Sequence, residues 1–194
     1  TLLLVREMFQ QRTKHLPMRV GELIPYDSYN NISISVHQKV KLLQKHLYRL
    51  GQNRRVIFIT QKAIAPPEDR KALSKAIHQC EHLGNTSEGK DNYLYRDENS
   101  SPILREIGRL REIAFRAVGE GTNRRRDIDP YDNEYYHLIL WDKNDLEIIG
   151  AYRFGDAKLL TQEKNKLYSA TLFVYSEKMQ PYFEQGLELG RSFI

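Results

Sequence analysis

The sequence has few of the residues that build cross-linked, zinc-binding or membrane-spanning proteins. Its one cysteine, Cys80, excludes a disulfide within the chain and a zinc site made of cysteines. The longest candidate apolar run, Leu2-Leu-Leu-Val5, is far shorter than the roughly 18 residues that a membrane span needs. Cysteine usage of this kind is typical of a reducing compartment. We therefore expect a cytoplasmic location.

The remaining composition is that of a globular protein with a mildly basic surface. Hydrophobic residues make up 40% and charged residues 28% of the 194 positions, enough for one sizeable core or two small ones. The net charge of +5 suits an anionic partner such as lipid headgroups or an acidic carrier protein, although a generic basic surface explains it equally well. Because no nucleic-acid-binding motif is recognisable, we predict no nucleic-acid partner.

Three regions follow one another along the chain, at residues 1–65, 66–100 and 101–194. In the first, Met18–Pro25 alternates between apolar and other residues like a strand and stops at a proline. The second combines a helix that starts near Pro66 with a linker, Asp97–Pro102. Because the chain starts with Thr1 rather than methionine, we expect it to be an interior piece of a longer protein.

The third region predicts alternating helices and strands. Ser101 can cap a helix whose first turn accepts Pro102 and whose apolar stripe runs to Val118. Further elements are predicted in order along the chain: paired strands at 137–141 and 148–154, a possible strand at 167–171, a helical segment at 176–185 and a strand from 187.

Charged residues of both signs recur around these elements. Asp127, Asp129 and Asp132 precede the first strand of the pair, Arg153 lies near the end of the second, and Glu188 and Arg191 are three positions apart. Such a cluster can hold an amine, which arrives protonated and must lose a proton before it attacks an acyl thioester. A set of ion pairs that fixes the loop to the sheet is the structural alternative.

In this order, the motifs resemble those of the ornithine-lipid N-acyltransferases and the acyl-homoserine-lactone synthases of the GNAT superfamily. The shared elements are Arg111-x-x-x-Phe115, the acidic loop Asp127 to Asp132 with Tyr131, His137-Leu138, Gly150 to Arg153, Tyr168-Ser-Ala170 with Phe173, and Glu188 to Ser192. Asp127 stands where these families commonly have glutamate. The resemblance implies an α/β fold, a GNAT-like mixed sheet with flanking helices. It would be incomplete at the C-terminus, because the family's glycine-rich turn onto a helix does not precede Ile194.

The resemblance also implies roles for individual residues. Asp129, Glu188 and Arg153 are the catalytic candidates, with the base left open between Glu188 and a water molecule held by Asp129. The substrate-binding candidates are Arg111, Phe115, Asp127, Asp132, Phe173 and Arg191. No metal site is predicted. His137 and Asp142 have the spacing of an O-acyltransferase His-x-x-x-x-Asp dyad, which we interpret as coincidence because residues five apart on a strand face opposite sides.

The implied reaction moves a fatty acyl group from acyl carrier protein or acyl-CoA to a small amine acceptor in the synthesis of amino-acid-containing membrane lipids, with no covalently bound cofactor. Leu16–Pro25 is similar to the closing strand of glycerolipid acyltransferase domains, which adds an anionic membrane surface as a partner and a peripheral inner-membrane location. A homodimer is possible. The alternatives are a signal synthase of the homoserine-lactone type and a non-catalytic scaffold or membrane-surface module of a lysophospholipid acyltransferase (hemolysin-like protein).

Overall fold

The computed structural model of the chain describes residues 2–10, 14–15, 18–96, 101–162 and 167–194. Two compact units divide the chain, Thr1–Lys62 and Ala63–Ile194. None of the helices in the described ranges has both the length and the apolar character needed to cross a bilayer.

The described residues of the first unit form three helices: α1 (Leu2–Gln10), α2 (Tyr26–Asn30) and α3 (Val36–Gly51). Helix α3 begins with a capping box, in which Ser35 and Gln38 each bond to the other's backbone N–H group. The strand predicted at Met18–Pro25 is wrong: Leu23 alone of these residues forms a bridge, to Gln61, and among the described residues no neighbouring strand continues the ladder. Leu16 and Pro17, which begin the glycerolipid-acyltransferase resemblance, lie outside the described residues.

The second unit is built on one sheet of five antiparallel strands in the order β1-β2-β3-β4-β5. Its helices and strands are α4 (Arg70–Ile77), β1 (Glu81–Asn85), β2 (Asp91–Tyr95), α5 (Pro102–Ala117), β3 (Tyr136–Asp142), β4 (Glu147–Asp156), α6 (Ala157–Gln162), α7 (Gln180–Phe183) and β5 (Leu187–Phe193). The α/β class with a GNAT-like sheet and flanking helices is confirmed. Residues 66–96 supply α4 and the β1–β2 hairpin of this sheet, and the rest of the linker, residues 97–100, lies outside the described ranges.

Helix α5 forms where the capping pattern predicted it. The Ser101 hydroxyl accepts a hydrogen bond from the backbone N–H of Leu104 at 3.2 Å, and Pro102 occupies the first turn. The apolar stripe of α5 packs with α4 against the sheet. The core buried between them comprises Leu73, Ile77, Tyr93, Tyr95, Ile103, Leu104, Ile107, Ile139, Trp141, Ile148, Ala151 and Phe193.

Gly108 lets the acidic loop approach α5 closely. Its carbonyl accepts a hydrogen bond from the backbone N–H of Asp127 at 2.8 Å. A Cβ atom at Gly108 would lie 2.4 Å from Cγ1 of Ile128, so that the Ile128 side chain or the loop would have to shift. Glycine at this position therefore allows the loop to lie against the helix, one turn before Arg111 on α5.

The paired strands predicted at 137–141 and 148–154 are confirmed as β3 and β4. The strand predicted at 167–171 is wrong, since Tyr168–Thr171 forms a 3-10 helix. Glu188 accepts hydrogen bonds from the backbone N–H groups of Tyr168 and Ser169, so these groups are engaged by a side chain and not by a neighbouring strand.

Candidate functional site

Asp132 stands at the centre of a buried ion-pair network. Both of its carboxylate oxygens accept hydrogen bonds from the Arg111 guanidinium at 2.8 Å. Nη1 of Arg153 donates to Oδ1 at 3.0 Å, and the backbone N–H of Asp129 donates to Oδ2 at 2.8 Å. Burial disfavours the charged carboxylate, but the hydrogen bonds from Arg111 outweigh it and lower the pKa of Asp132 to about 2.

Arg153 joins this centre to the acidic loop through one end of its guanidinium. The same Nη1 atom that contacts Asp132 donates to Oδ1 of Asp129 at 2.8 Å. The guanidinium carbon lies 5.1 Å from the ring centroid of Tyr135 and 5.5 Å from that of Tyr168, within the range of cation–π attraction. The Nε and Nη2 atoms of Arg153 are buried and have no hydrogen-bond partner among the described residues.

Arg191 reaches the network because β5 contains a bulge. Tyr152 pairs with Ser192 and Arg153 with Gly190, so Arg191 is the extra residue between the two pairs. Its φ angle of 38° lies in the left-handed region, which residues with a side chain rarely adopt. A bulge of this kind turns a side chain away from the direction that a regular strand would impose.

The redirected guanidinium of Arg191 contacts two acidic residues of the loop. Nη1 donates to Oδ1 of Asp127, and Nη2 lies 3.2 Å from Oδ2 of Asp129. With Arg111 and Arg153, three guanidinium groups therefore face three carboxylates. Asp127 and Asp132 are closed to solvent, with side chains 2% and 0% exposed, whereas the Asp129 side chain is 18% exposed. Of the three loop carboxylates, Asp129 alone keeps appreciable access to solvent.

Glu188 is held next to this network by three donors. Its Oε1 atom accepts from the backbone N–H of Ser169 at 2.7 Å, and Oε2 accepts from that of Tyr168 at 3.1 Å and from the Tyr135 hydroxyl. Burial of Tyr135, together with the Glu188 carboxylate, raises the pKa of this phenol. Glu188 thus stabilises the Tyr168–Thr171 turn, and both of its oxygens are already engaged.

His137 lies beneath the network on β3. Its Nε2 atom is 3.1 Å from the Asp132 carbonyl oxygen, so Nε2 is the protonated nitrogen. Burial lowers the pKa of His137 to about 4, more than the Asp132 carboxylate raises it. Asp142, at the far end of β3, pairs with Lys90 instead. The two residues do not form a dyad.

We expect the neutral, buried His137 to make the protein acid-sensitive. In the unfolded state His137 binds a proton below its ordinary pKa of 6.5. In the folded state the same residue stays neutral down to about pH 4. The free energy of unfolding therefore falls by about 1.4 kcal/mol per pH unit across this window from this group alone. Urea unfolding at several pH values measures the slope. His137→Asn should flatten it, whereas His78→Asn, at an exposed histidine, should not, and equal slopes in all three proteins would contradict the explanation.

An open cavity of about 400 Å³ borders the network. The residues that line it include Phe115, Glu120, Arg153, Tyr168, Gly190 and Arg191. The volume falls in the range of small-molecule sites, roughly 300–1,000 Å³. Within the described ranges, no group of three or more histidine, cysteine or acidic side chains is arranged to hold a metal ion.

Comparison with known proteins matches the segment that carries this arrangement to a family model. Residues 110–194 match the family model of the acetyltransferase (GNAT) domain. The match covers all nine residues that the sequence proposed for the site, from Arg111 to Arg191. It also covers β3, β4 and β5, of which β4 carries Arg153 and β5 carries Arg191. No solved structure matches the chain significantly.

Two curated relatives are both called glycine N(alpha)-acyltransferase. The protein of Phocaeicola vulgatus is 37% identical over 139 residues, which make up 68% of this chain and 43% of the relative. The protein of Bacteroides thetaiotaomicron is 35% identical over 139 residues, or 68% of this chain and 41% of the relative. The chain thus spans less than half the length of these relatives.

Within the segment that matches the family model, the structure brings most of the predicted residues together. Arg111, Asp127, Asp129, Asp132, Arg153 and Arg191 form the network, Glu188 adjoins it through Tyr135, and Phe115 lines the cavity. Phe173 does not join them. It is exposed and lines a separate depression beside Tyr175 and Phe183, so its substrate-binding role stays a prediction.

Sequence reasoning missed three contributors to the site. Tyr135 lies under Arg153 and bonds to Glu188, Tyr168 covers both Arg153 and Arg191, and Gly190 faces Arg153 across the strand pair. Tyr168 was named as part of a shared motif, but no role in the site was predicted for it. The contacts of Tyr135 and Gly190 depend on strand register, for which a single sequence offers no signal at these positions.

Proposed function

We propose that this chain carries an N-acyltransferase site that moves a fatty acyl group from a thioester to the amine of a small amino acid such as glycine. Three findings support the proposal: the GNAT match over residues 110–194, the glycine N(alpha)-acyltransferase names of the two relatives, and the geometry of the network. The geometric observation that carries it is that Arg153 and Arg191, both fixed by Asp129, line one cavity.

The chemistry requires few groups from the protein. The amine nitrogen attacks the carbonyl carbon of the thioester, a C–N bond forms and the C–S bond breaks. The products are an amide and a thiol, and the acceptor's ammonium group loses one proton to the surroundings overall. The protein must therefore orient the amine, accept or pass on its proton and stabilise the negative charge that develops on the carbonyl oxygen.

The network suggests how these tasks divide. Asp129 is the best-placed proton acceptor, acting through a water molecule, because its side chain alone of the three loop carboxylates keeps appreciable solvent access. Glu188 is less suited to be the base, because its three donors belong to Tyr135 and to the backbone of Tyr168 and Ser169. Three donors also engage Asp129, but two of them are the arginines that line the cavity. Glu188 positions Tyr168 over the arginines instead. Arg111 and Asp132 hold the loop in place, and Arg153 supplies positive charge at the cavity.

The proposal extends to the biological setting. The acyl donor is acyl carrier protein or acyl-CoA, and the product enters the synthesis of amino-acid-containing membrane lipids. The protein works at the cytoplasmic face of an anionic inner membrane, with a homodimer as one candidate assembly. The net charge of +5 supports contact with an acidic carrier or an anionic surface, and the resemblance to ornithine-lipid N-acyltransferases supports the lipid pathway.

An acceptor panel tests the proposal. The protein carrying this chain is incubated with acyl-CoA or acylated carrier protein and, separately, glycine, ornithine, S-adenosylmethionine or lysophospholipid, and products are analysed by mass spectrometry. N-acylated glycine or ornithine is the expected product. A homoserine lactone would indicate the signal-synthase alternative. Acylation of lysophospholipid alone, or no product at all, would leave this chain as a non-catalytic module.

A further inference from the structure

Arg153 has hydrogen-bonding capacity that the ion-pair network leaves unused. Both contacts to Asp129 and Asp132 come from Nη1. The Nε and Nη2 atoms, which together carry three N–H donors, are buried and lack a partner among the described residues. Buried donors on a charged group are nearly always satisfied. An unfilled set at the edge of a cavity therefore indicates a ligand or an ordered water molecule.

The unused donors have the geometry of a carboxylate site. Nε and Nη2 lie on one edge of the planar guanidinium, and this edge matches the two oxygens of a carboxylate in a bidentate hydrogen bond. The charges of the ion-pair network at the Nη1 end of Arg153 already balance, because three guanidinium groups face three loop carboxylates. A group with a single negative charge fits such a site better than a doubly charged phosphate.

Gly190 faces this buried edge without a side chain of its own. A Cβ atom built at Gly190 would lie 3.7 Å from Nε and 3.8 Å from Nη2 of Arg153, its nearest atoms apart from Gly190 itself and the two adjoining residues. These are ordinary van der Waals distances. An alanine would therefore fit the folded protein, but its methyl group would stand against the two donors.

We propose that the Nε–Nη2 edge of Arg153 binds the α-carboxylate of the acceptor amino acid in the cavity that Gly190, Tyr168 and Arg191 also line. The inference rests on the proposed N-acyltransferase function and adds a recognition site to it. It explains how an enzyme of this kind selects an amino acid over other amines. An acceptor without the carboxylate leaves the buried donors of Arg153 unsatisfied, and this strongly lowers kcat/KM for that acceptor.

The test compares glycine with glycinamide, which keeps the amine and lacks the carboxylate. For the wild-type protein we expect kcat/KM for glycine to exceed that for glycinamide by about 100-fold or more. Truncation of Arg153 itself would remove one ion-pair partner from both Asp129 and Asp132 and threaten folding, so Gly190→Ala is the informative variant. We expect it to raise KM for glycine by about 10-fold or more, the typical effect of lost hydrogen bonds to a charged group, without changing KM for the acyl donor. Leu187→Ala, at an exposed position of the same strand that does not line the cavity, is the matched control.

A binding measurement separates failure of this inference from failure of the proposed function. Carboxyl-labelled [13C]glycine is titrated with the protein and followed by NMR, without acyl donor. A shifted carboxyl signal in the wild type that Gly190→Ala abolishes supports the carboxylate site, even if no acyl transfer is detected. Equal acylation of glycine and glycinamide would overturn the inference while leaving the N-acyltransferase function intact. An unchanged KM for glycine in Gly190→Ala would overturn it as well, and would assign the buried donors to water.

Discussion

Replacement of Arg111 with methionine is expected to lower the free energy of unfolding by about 3–5 kcal/mol, the usual cost of removing one partner from a buried ion pair. The substitution removes both hydrogen bonds that Arg111 donates to Asp132 and those it donates to the Asp127 carbonyl oxygen. Asp132 would remain fully buried with Arg153 as its one cationic partner. Methionine has a similar length, so the loss reflects charge and hydrogen bonds more than packing. Urea or thermal unfolding measures it.

Arg70 offers a control on the same sheet-and-helix unit. Its ion pair with Glu147 spans 3.5 Å, and both side chains are more than half exposed. Exposed pairs contribute at most about 1 kcal/mol, so Arg70→Met should change stability little. Comparable losses of unfolding free energy for Arg70→Met and Arg111→Met would contradict the account of the buried network. They would show that burial does not increase the contribution of an ion pair to stability.

Asp129→Asn is expected to reduce kcat/KM for acyl transfer by about 100-fold or more, the range found when a general acid or base is lost, with only a small loss of stability. Each arginine that contacts Asp129 keeps a second carboxylate partner, Asp132 for Arg153 and Asp127 for Arg191. Asparagine also keeps an oxygen to accept the bond from the backbone N–H of Tyr131. The substitution therefore changes the proton acceptor more than it changes the scaffold.

The combination of kinetics and unfolding decides between the two interpretations of the acidic loop. In the catalytic interpretation, Asp129→Asn loses activity and keeps its melting temperature, whereas Asp132→Asn loses both because its carboxylate is fully buried between Arg111 and Arg153. If Asp129→Asn melts much earlier and retains the activity of its folded fraction, the loop is a structural ion-pair cluster.

Locally encoded elements could be predicted from the sequence. Helix α5 has its cap at Ser101, its proline in the first turn and an apolar stripe, so its start depends on neighbouring residues alone. The β3 and β4 strands are joined by a short turn. By contrast, the predicted strand at Met18–Pro25 required a partner strand that the fold does not supply, and the predicted strand at 167–171 was replaced by a turn that Glu188 holds from about twenty residues away.

The site was predictable to the extent that its charges could be identified by motif. The acidic loop, Arg153 and Arg191 belong to an ordered series, and the structure brings them together. Arg191 turns towards Asp127 because a bulge in β5 shifts the pairing register between β4 and β5 by one residue. No spacing in the sequence indicates that bulge. For the same reason, the contact between Gly190 and the free edge of Arg153 could be found only in the structure.

The most direct test of the central claim is a double-label transfer experiment with the protein carrying this chain. Acyl-CoA or acylated carrier protein with a 13C-labelled acyl chain is supplied together with [15N]glycine, and the product is identified by mass spectrometry. The account predicts an amide that contains both labels and that decreases at least about 100-fold in Asp129→Asn. Full activity in Asp129→Asn, or labelled acyl groups found only in free fatty acid or ester products, would contradict it.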